Sequence, residues 1–314
     1  MLVCISANPA IDKRVRLARL VPGRVNRASE VKPAPGGKAA HVAMVLRRLG
    51  ADPLWIGFAG GDSGQELLAG LRELSIRTAS VTMKNATRTN LEIIDAEGVV
   101  TEILEPGAAV SAEECSAFYS TCEAVFREAQ GGVTAILSGS LPTGVPTDFY
   151  ASTIERAHSF GGKVFLDTSG DALRKGLEAG PDFVKPNREE AEWLTGQTIH
   201  DSRSAAAALA EIISLGAQSA AVSLGQDGLV WKPLKSNSIF EARSPKVAAR
   251  SAVGSGDAAL AGFALAAEKQ LGPEESLKLA TACGAANCLA ELPGQLNANE
   301  VQRLQEVVKI EIVS

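Results

Sequence analysis

The stretch VGSGDAALAGFALAA, from Val253 to Ala267, sets a glycine turn, Gly254-Ser255-Gly256, directly before a run of small apolar residues. A helix opening on such a turn presents unpaired N–H groups and a partial positive charge, which suit a bound anion. Asp257 stands at that start, where its charge opposes the anion the turn is built to hold. Capping accounts for an aspartate there, and packing accounts for many strand-to-helix glycines. The turn alone leaves both readings open.

Other residues with chemical options sit at the ends of apolar runs. Asp12 follows LVCIS, Ser138-Gly139-Ser140 follow VTAIL, and Asp167 ends KVFLD. Lys185-Pro186-Asn187 follow DFV, and Ser223 and Gly225 end AAVSLG. In open parallel sheets ligands bind beyond the carboxyl ends of the strands, so these polar ends predict a binding crevice. Asn187 and Glu190, three apart on one helix face, suit a Mg²⁺ ion that keeps its waters. The same spacing makes a capping box, which needs no metal. Arg24, Arg27, Lys38 and Arg88 can clamp an anionic substrate; taken singly they are equally solvated surface cations. GGKAAH lacks the Ser or Thr that a Walker A motif requires after Lys38. No G-x-G-x-x-G turn follows the first strand, which argues against a Rossmann dehydrogenase.

The elements that must position these residues alternate. Strand patterns LVCIS, PLWIGFA, VTAILS, KVFLD, DFVKP and AAVSL are interleaved with amphipathic helices, among them KAAHVAMVLRRL, SGQELLAGLREL and TDFYASTIERAHSF. Ser111 to Glu114 form a capping box that starts another. Repeated βα units with buried strands predict a mostly parallel sheet with helices on both faces, a three-layer α/β/α domain. GRVNRASEVK and TRTNLEIIDAEGVVTEIL break the rhythm as strand-like segments without helices. The second reads as a hairpin turning near Glu97-Gly98, with Leu91, Ile93, Val100 and Ile103 as its apolar residues. Together they predict a small β-lid, from about 13–33 and 85–105, on one domain spanning 1–314.

The 314 residues, 46% hydrophobic and 21% charged, suit a soluble globular protein with a sizeable core. A net charge of −5 gives no footprint for nucleic acid or an acidic membrane, so positive contacts to an anion must be local. The five cysteines form no C-x-x-C pair and the three histidines show no zinc spacing. Reduced thiols in a cytoplasmic protein are expected. The N-terminus has no basic n-region, so no signal peptide is expected.

NPAID, VNRASEVKPAPGGK, GGDSG, TRTNLEI, TEILEPG, SGSLPTG, LDTSG, VKPNREE, VSLGQDG and VGSGDAALAGF follow one another along almost the whole chain. In this order they resemble the ribokinase-like sugar kinases, or PfkB family, and within it the hexose-phosphate group. That group comprises 1-phosphofructokinases, tagatose-6-phosphate kinases and the minor 6-phosphofructokinase. The resemblance implies an ATP- and Mg²⁺-dependent kinase of 1-phosphofructokinase type, which makes a bisphosphate from a ketohexose phosphate. Another phosphorylated sugar, or a non-catalytic nucleotide- or sugar-phosphate-binding protein, is the alternative.

By the same resemblance Asp257 is the base that accepts the proton of the attacking sugar hydroxyl. The amides of Gly254, Ser255 and Gly256 form the anion hole for the transferring phosphoryl group. Asn187 and Glu190 organise Mg²⁺ through water, and Lys185 reaches the phosphates. Ser223, Gly225 and Gly228 lie beside the nucleotide, with Asn287 and its neighbours at the adenine pocket. Asp12 binds sugar hydroxyls, and Gly36-Gly37 allow close backbone approach. Arg88, Ser140, Lys38, Arg24 and Arg27 hold the phosphate already on the sugar. An apolar hairpin on the lid implies a homodimer through the lids. One departure stands out: the group reads Gly-Gly-Lys-Gly-x-Asn, whereas this chain has Ala39 and His41. His41, if it faces a sugar phosphate, is expected to titrate near neutral pH and to alter sugar choice.

Overall fold

A computed structural model describes residues 1–313. Strand β1 (Leu2–Ser6) sends Leu2 and Cys4 into one core and Val3 and Ile5 into the other. A strand covered on both faces has no polar side, which is why it reads as an unbroken apolar run. The chain then leaves for a small sheet through β2 (Ala10–Arg16) and β3 (Glu30–Gly36) and returns in α1 (Lys38–Arg48). β4 (Leu54–Ala59), α2 (Gly61–Glu73) and β5 (Arg77–Thr82) extend the large sheet. A hairpin, β6 (Arg88–Ile94) and β7 (Val100–Ile103), completes the small one. It turns at Gly98, whose φ of +81° a residue with a side chain seldom adopts.

The βα alternation resumes at α3 (Ala112–Glu128), whose Ser111–Glu114 capping box is present. It runs through β8 (Thr134–Ser138), α4 (Phe149–Ser159), β9 (Lys163–Asp167) and α5 (Gly170–Glu178). The two-residue β10 (Phe183–Val184), α6 (Arg188–Thr195), α7 (Ser202–Ser214) and β11 (Ala220–Ser223) follow. β12 (Leu229–Lys232) and β13 (Ile239–Arg243) come next, then α8 (Ser255–Glu268). α9 (Pro273–Leu289), α10 (Ala298–Val307) and β14 (Lys309–Val313) complete the chain.

The large sheet runs β14-β13-β12-β11-β10-β9-β8-β1-β4-β5, parallel from β11 to β5 and antiparallel from β11 to β14. Helices α1, α2, α8, α9 and α10 pack one face, and α3 to α7 the other. The expected three-layer arrangement is therefore present, with an antiparallel edge and strand β5 that the sequence patterns did not reveal. Helix α8 is built of small residues because it lies close on α9. A Cβ on Gly262 would come within 2.6 Å of the Ala280 Cα. Among the described residues no helix is long and apolar enough to cross a membrane, and all five cysteines are free thiols.

The small sheet has the order β3-β2-β6-β7. Its strands reach from Ala10 to Gly36 and from Arg88 to Ile103, so the first part starts earlier than the pattern at 13–33 predicts. GRVNRAS is not strand. Asn26 accepts from the amide of Val21 and donates to the carbonyls of Val21 and Arg24, and this local bonding competes with sheet pairing. The parallel register sets Asp12 beside Asn90 and Arg14 beside Glu92. That polar set faces the large domain. Ile93, Val15, Val31 and Ile103 alternate onto the opposite face, where Val31 and Ile103 are 51% and 52% exposed.

Candidate active site

The small sheet roofs a crevice of about 1500 Å³ at the carboxyl ends of the parallel strands. Strand ends supply Gly139 and Ser140 after β8, Asp167 and Thr168 at β9, Lys185 and Asn187 after β10, and Ser223 and Gly225 at β11. The crevice thus lies where sheets of this kind bind ligands, because strand ends and helix starts leave main-chain groups free there.

At its centre is the start of α8. Gly254 has φ +77°, and a Cβ on it would press within 2.9 Å of Pro293 Cβ, so glycine alone fits. Asp257 is inside the first turn, and no side chain caps this helix. The capping account of Asp257 therefore fails. Its carboxylate turns instead to His41, whose Nδ1 lies 2.9 Å from Asp257 Oδ2. The other ring nitrogen, Nε2, lies 3.0 Å from Asp12 Oδ2. His41 thus bridges two carboxylates and, only 5% exposed, is buried in the crevice wall. Burial works against its charged form, but the bonds to Asp12 and Asp257 outweigh burial and push its pKa up to about 10.

This corrects the expectation that His41 faces a sugar phosphate and titrates near neutral pH. Both ring nitrogens are engaged by acids, and the ring stays charged throughout the neutral range. Asp12 is held in turn by Asn90, whose Nδ2 donates to Asp12 Oδ1 at 2.8 Å. Burial disfavours the charge of Asp12, yet the bonds from His41 and Asn90 prevail and keep its carboxyl below the usual range. Gly36 makes room for this group, since a Cβ there would sit 2.2 Å from Asp12 Cγ. Gly37, φ +85°, brings the chain within reach of Pro9 and Asn8.

Two lysines of the crevice share one acid. Lys38 Nζ lies 2.7 Å from Asp167 Oδ1 and Lys185 Nζ 3.0 Å from Oδ2. Asp167 is fully buried, which disfavours its charge, but Lys185 and Lys38 hold its carboxyl down to about 2. A Cβ on Gly256 would come 3.4 Å from Lys185 Nζ, so this lysine lies against the glycine turn. Lys38 therefore stands with Lys185 rather than with Arg88. Asn187 Oδ1 accepts from the Glu190 amide and Glu190 Oε2 from the Asn187 amide, each at 2.8 Å. The capping box is real, and Glu190 lines the crevice with no hydrogen bond through Oε1 among the described residues. Among the described residues no three His, Cys, Asp or Glu side chains gather into a metal cage. A single free carboxylate oxygen fits an ion that keeps most of its waters.

Arg88 reaches the other end of the crevice. It donates from Nη1 to the Glu105 carbonyl at 2.7 Å and from Nη2 to the Asn8 carbonyl at 3.0 Å. Asn8 Nδ2 in turn donates to Ser140 Oγ at 3.1 Å, which groups Arg88 with Ser140. Arg88 lines the crevice, and its Nε is buried with no partner. Arg24 and Arg27 do not join them. Both are exposed on the loop between β2 and β3 and do not line the crevice.

Asn287 does not line it either. Its Nδ2 donates to the Val253 carbonyl at 2.8 Å and its Oδ1 accepts from the Gly294 amide at 2.9 Å. It clamps the glycine turn, while its neighbours Gly284, Ala285 and Cys288 face the crevice. Gly225 and Ser223 line the space, and Gly228 admits no side chain because a Cβ would lie 1.9 Å from the Ala242 carbonyl oxygen.

Sequence reasoning missed Asn90, the role of Asp167 as shared counter-ion, and a buried link between lid and turn. Arg14 Nη2 and Nε grip Glu92 at 2.6–2.9 Å, and Ser251 Oγ donates to Glu92 Oε1 at 2.7 Å. The Val253 amide donates back to Ser251 Oγ at 3.2 Å. An arginine and a glutamate inside strand patterns on separate segments are the signal available for that pair, and it is visible only once β2 and β6 are set side by side.

The pfkB family carbohydrate kinase profile matches residues 2–298. The chain is 32% identical over 311 residues to a 1-phosphofructokinase of Bacillus subtilis, covering 99% of each. It is 31% identical over 313 residues to a tagatose-6-phosphate kinase of Staphylococcus epidermidis, again covering 99% of each. It superposes with a TM-score of 0.89 on phosphofructokinase-2 from Escherichia coli in complex with substrates and products, at 27% identity and covering 98% of both chains. The chain belongs to the pfkB family of carbohydrate kinases.

Proposed function

We propose that the protein transfers the γ-phosphoryl group of ATP to a hydroxyl of a phosphorylated ketohexose and releases a bisphosphate, in the manner of 1-phosphofructokinases. One observation carries this reading. An acid beside the glycine turn, Asp257, and a guanidinium with an unpaired buried donor, Arg88, line the same crevice. A kinase for a free sugar would have no substrate phosphate for that cation to hold.

Asp257 accepts the hydroxyl proton as the oxygen attacks, and the amides of the Gly254-Ser255-Gly256 turn meet the charge on the transferring group. Lys185, against that turn, adds a point charge, and Asp167 keeps both lysines in place. Asp12 and Asn90 orient the sugar, the latter through its unpaired Oδ1. Glu190 holds Mg²⁺ through water. When bound, the ion neutralises charge on the nucleotide phosphates. Ser223, Gly225 and the α9 face of Gly284, Ala285 and Cys288 receive the nucleoside. ATP-coupled assays with Mg²⁺ over phosphorylated and free sugars test the reading: turnover of ketohexose phosphates supports it. Turnover confined to free sugars, or binding without turnover, refutes it. The same panel ranks fructose 1-phosphate, fructose 6-phosphate and tagatose 6-phosphate.

Arg88→Ala should weaken binding of the sugar phosphate by about 1.5–3 kcal/mol, the scale of a hydrogen bond to a charged group. Nucleotide affinity should hardly change. Calorimetry with each ligand separately is the check, and loss of nucleotide binding alone would reverse the two ends of the crevice.

The apolar outer face of the lid, with Val31 and Ile103 half exposed, supports pairing of two lids in a homodimer. Ile103→Lys should then convert the dimer to a monomer in light scattering, and a wild-type monomer at micromolar concentration would dismiss the pairing.

A further inference from the structure

His41 holds a position where the motif pattern calls for asparagine, and the difference is one of charge. The imidazole lies between Asp257 on α8 and Asp12 on the lid strand β2, 2.9 Å and 3.0 Å from their oxygens. Only a doubly protonated ring can donate to both. An asparagine amide can donate two hydrogen bonds, but from one nitrogen and without charge.

The remaining charges bearing on this cluster are Lys38 on α1, Arg88 on β6 and Glu102 on β7. Lys38 is paired with Asp167. Glu92, next along β6, is neutralised by Arg14. The loop that covers His41 from outside brings Gly294, with its Cβ position 3.1 Å from His41 Cα, and so adds no charge. His41 is therefore the cation that directly bridges the buried Asp257 and the half-buried Asp12.

We propose that His41 is a charged positioning residue whose imidazolium ties the base Asp257 to Asp12 of the lid and fixes the carboxylate's orientation. This rests on the reading of Asp257 as the base. Two consequences follow from the geometry. The ring has no free N–H for the sugar, so it acts on substrate only through the two acids it holds. The base and the lid strand share one side chain, so displacement of β2 also releases Asp257. The tie is complete below the ordinary histidine pKa and is lost as pH rises through about 10, because the folded state favours the charged ring.

The test combines an NMR titration with steady-state kinetics. In ¹⁵N-histidine spectra of the wild type, the His41 ring should stay doubly protonated through pH 8.5, with His158→Gln and His200→Gln assigning the other two rings. Asp257→Asn should lower the pH at which His41 titrates. In steady-state assays His41→Asn and His41→Gln should each lower kcat by ~10²-fold, the scale of a misplaced catalytic group, with KM for the nucleotide little changed. A His41 ring titrating near the reference ~6.5, or wild-type kcat in both variants, would overturn the proposal. The ring titration stands even if the His41 variants fail to fold. Failure of the base reading looks different: Asp257→Asn would then turn over normally.

Discussion

Asp257→Asn is expected to lower kcat by ~10²–10⁴-fold, the usual scale of general acid–base catalysis, while both substrates still bind. The reason lies in what the substitution keeps. Asparagine has the volume of aspartate and its Oδ1 can still accept from His41 Nδ1, so the bridge to Asp12 and the turn at Gly254 survive. What disappears is the oxygen able to take a proton from the attacking hydroxyl. Steady-state rates with saturating nucleotide and sugar phosphate, together with calorimetry on the variant, separate the two. Near-wild-type turnover would mean that the hydroxyl loses its proton elsewhere. A parallel loss of binding would mean that the carboxylate serves the fold of the turn.

The second large effect is expected in the lid. Glu92→Leu removes the partner of Arg14, a guanidinium that is 3% exposed and already has one buried nitrogen, Nη1, without a partner. Breaking a buried pair on one side typically costs about 3–5 kcal/mol, because the remaining charge has neither water nor counter-ion. Replacing both partners by apolar residues, Arg14→Met with Glu92→Leu, should return most of that stability. Denaturant midpoints of the single and double variants provide the measurement. A single variant within about 0.5 kcal/mol of wild type, the range of an ordinary surface change, would show that the pair is hydrated in solution. Glu92 also accepts from Ser251, which holds the Val253 amide, so the single variant should lose activity even where it remains folded.

The capping boxes at Ser111 and Asn187 were legible in the sequence because both partners lie within one helical turn and bond without help from the rest of the chain. The strand-end residues Ser140, Asp167, Lys185, Asn187 and Ser223 were legible for a related reason. Each follows a short apolar run, and the rule that ligands gather at such ends needs only their order. The lid was visible in part. Its hairpin carries a turn signal and alternation, whereas β2 begins at Ala10 inside a segment that reads as the end of a loop. Arg24 and Arg27 show the opposite failure. Their charge suggested the crevice, but the bonds of Asn26 fold their loop on itself and leave them exposed.

By itself, then, the sequence determined the local elements, the order of the motifs, the glycine turn before α8 and the family they announce, since these depend on interactions a few residues long. The tertiary structure decided which of the chemical residues meet. His41 and Asp257 are 216 positions apart, Arg14 and Glu92 78, and Lys38 and Asp167 129. No periodicity or spacing encodes such encounters; they arise where α1, α8 and the strands of two sheets converge. There the charge of each group depends on its neighbours. A histidine that would titrate near neutral pH in a peptide is held charged through the neutral range between Asp12 and Asp257, because their bonds to both ring nitrogens outweigh the cost of burial.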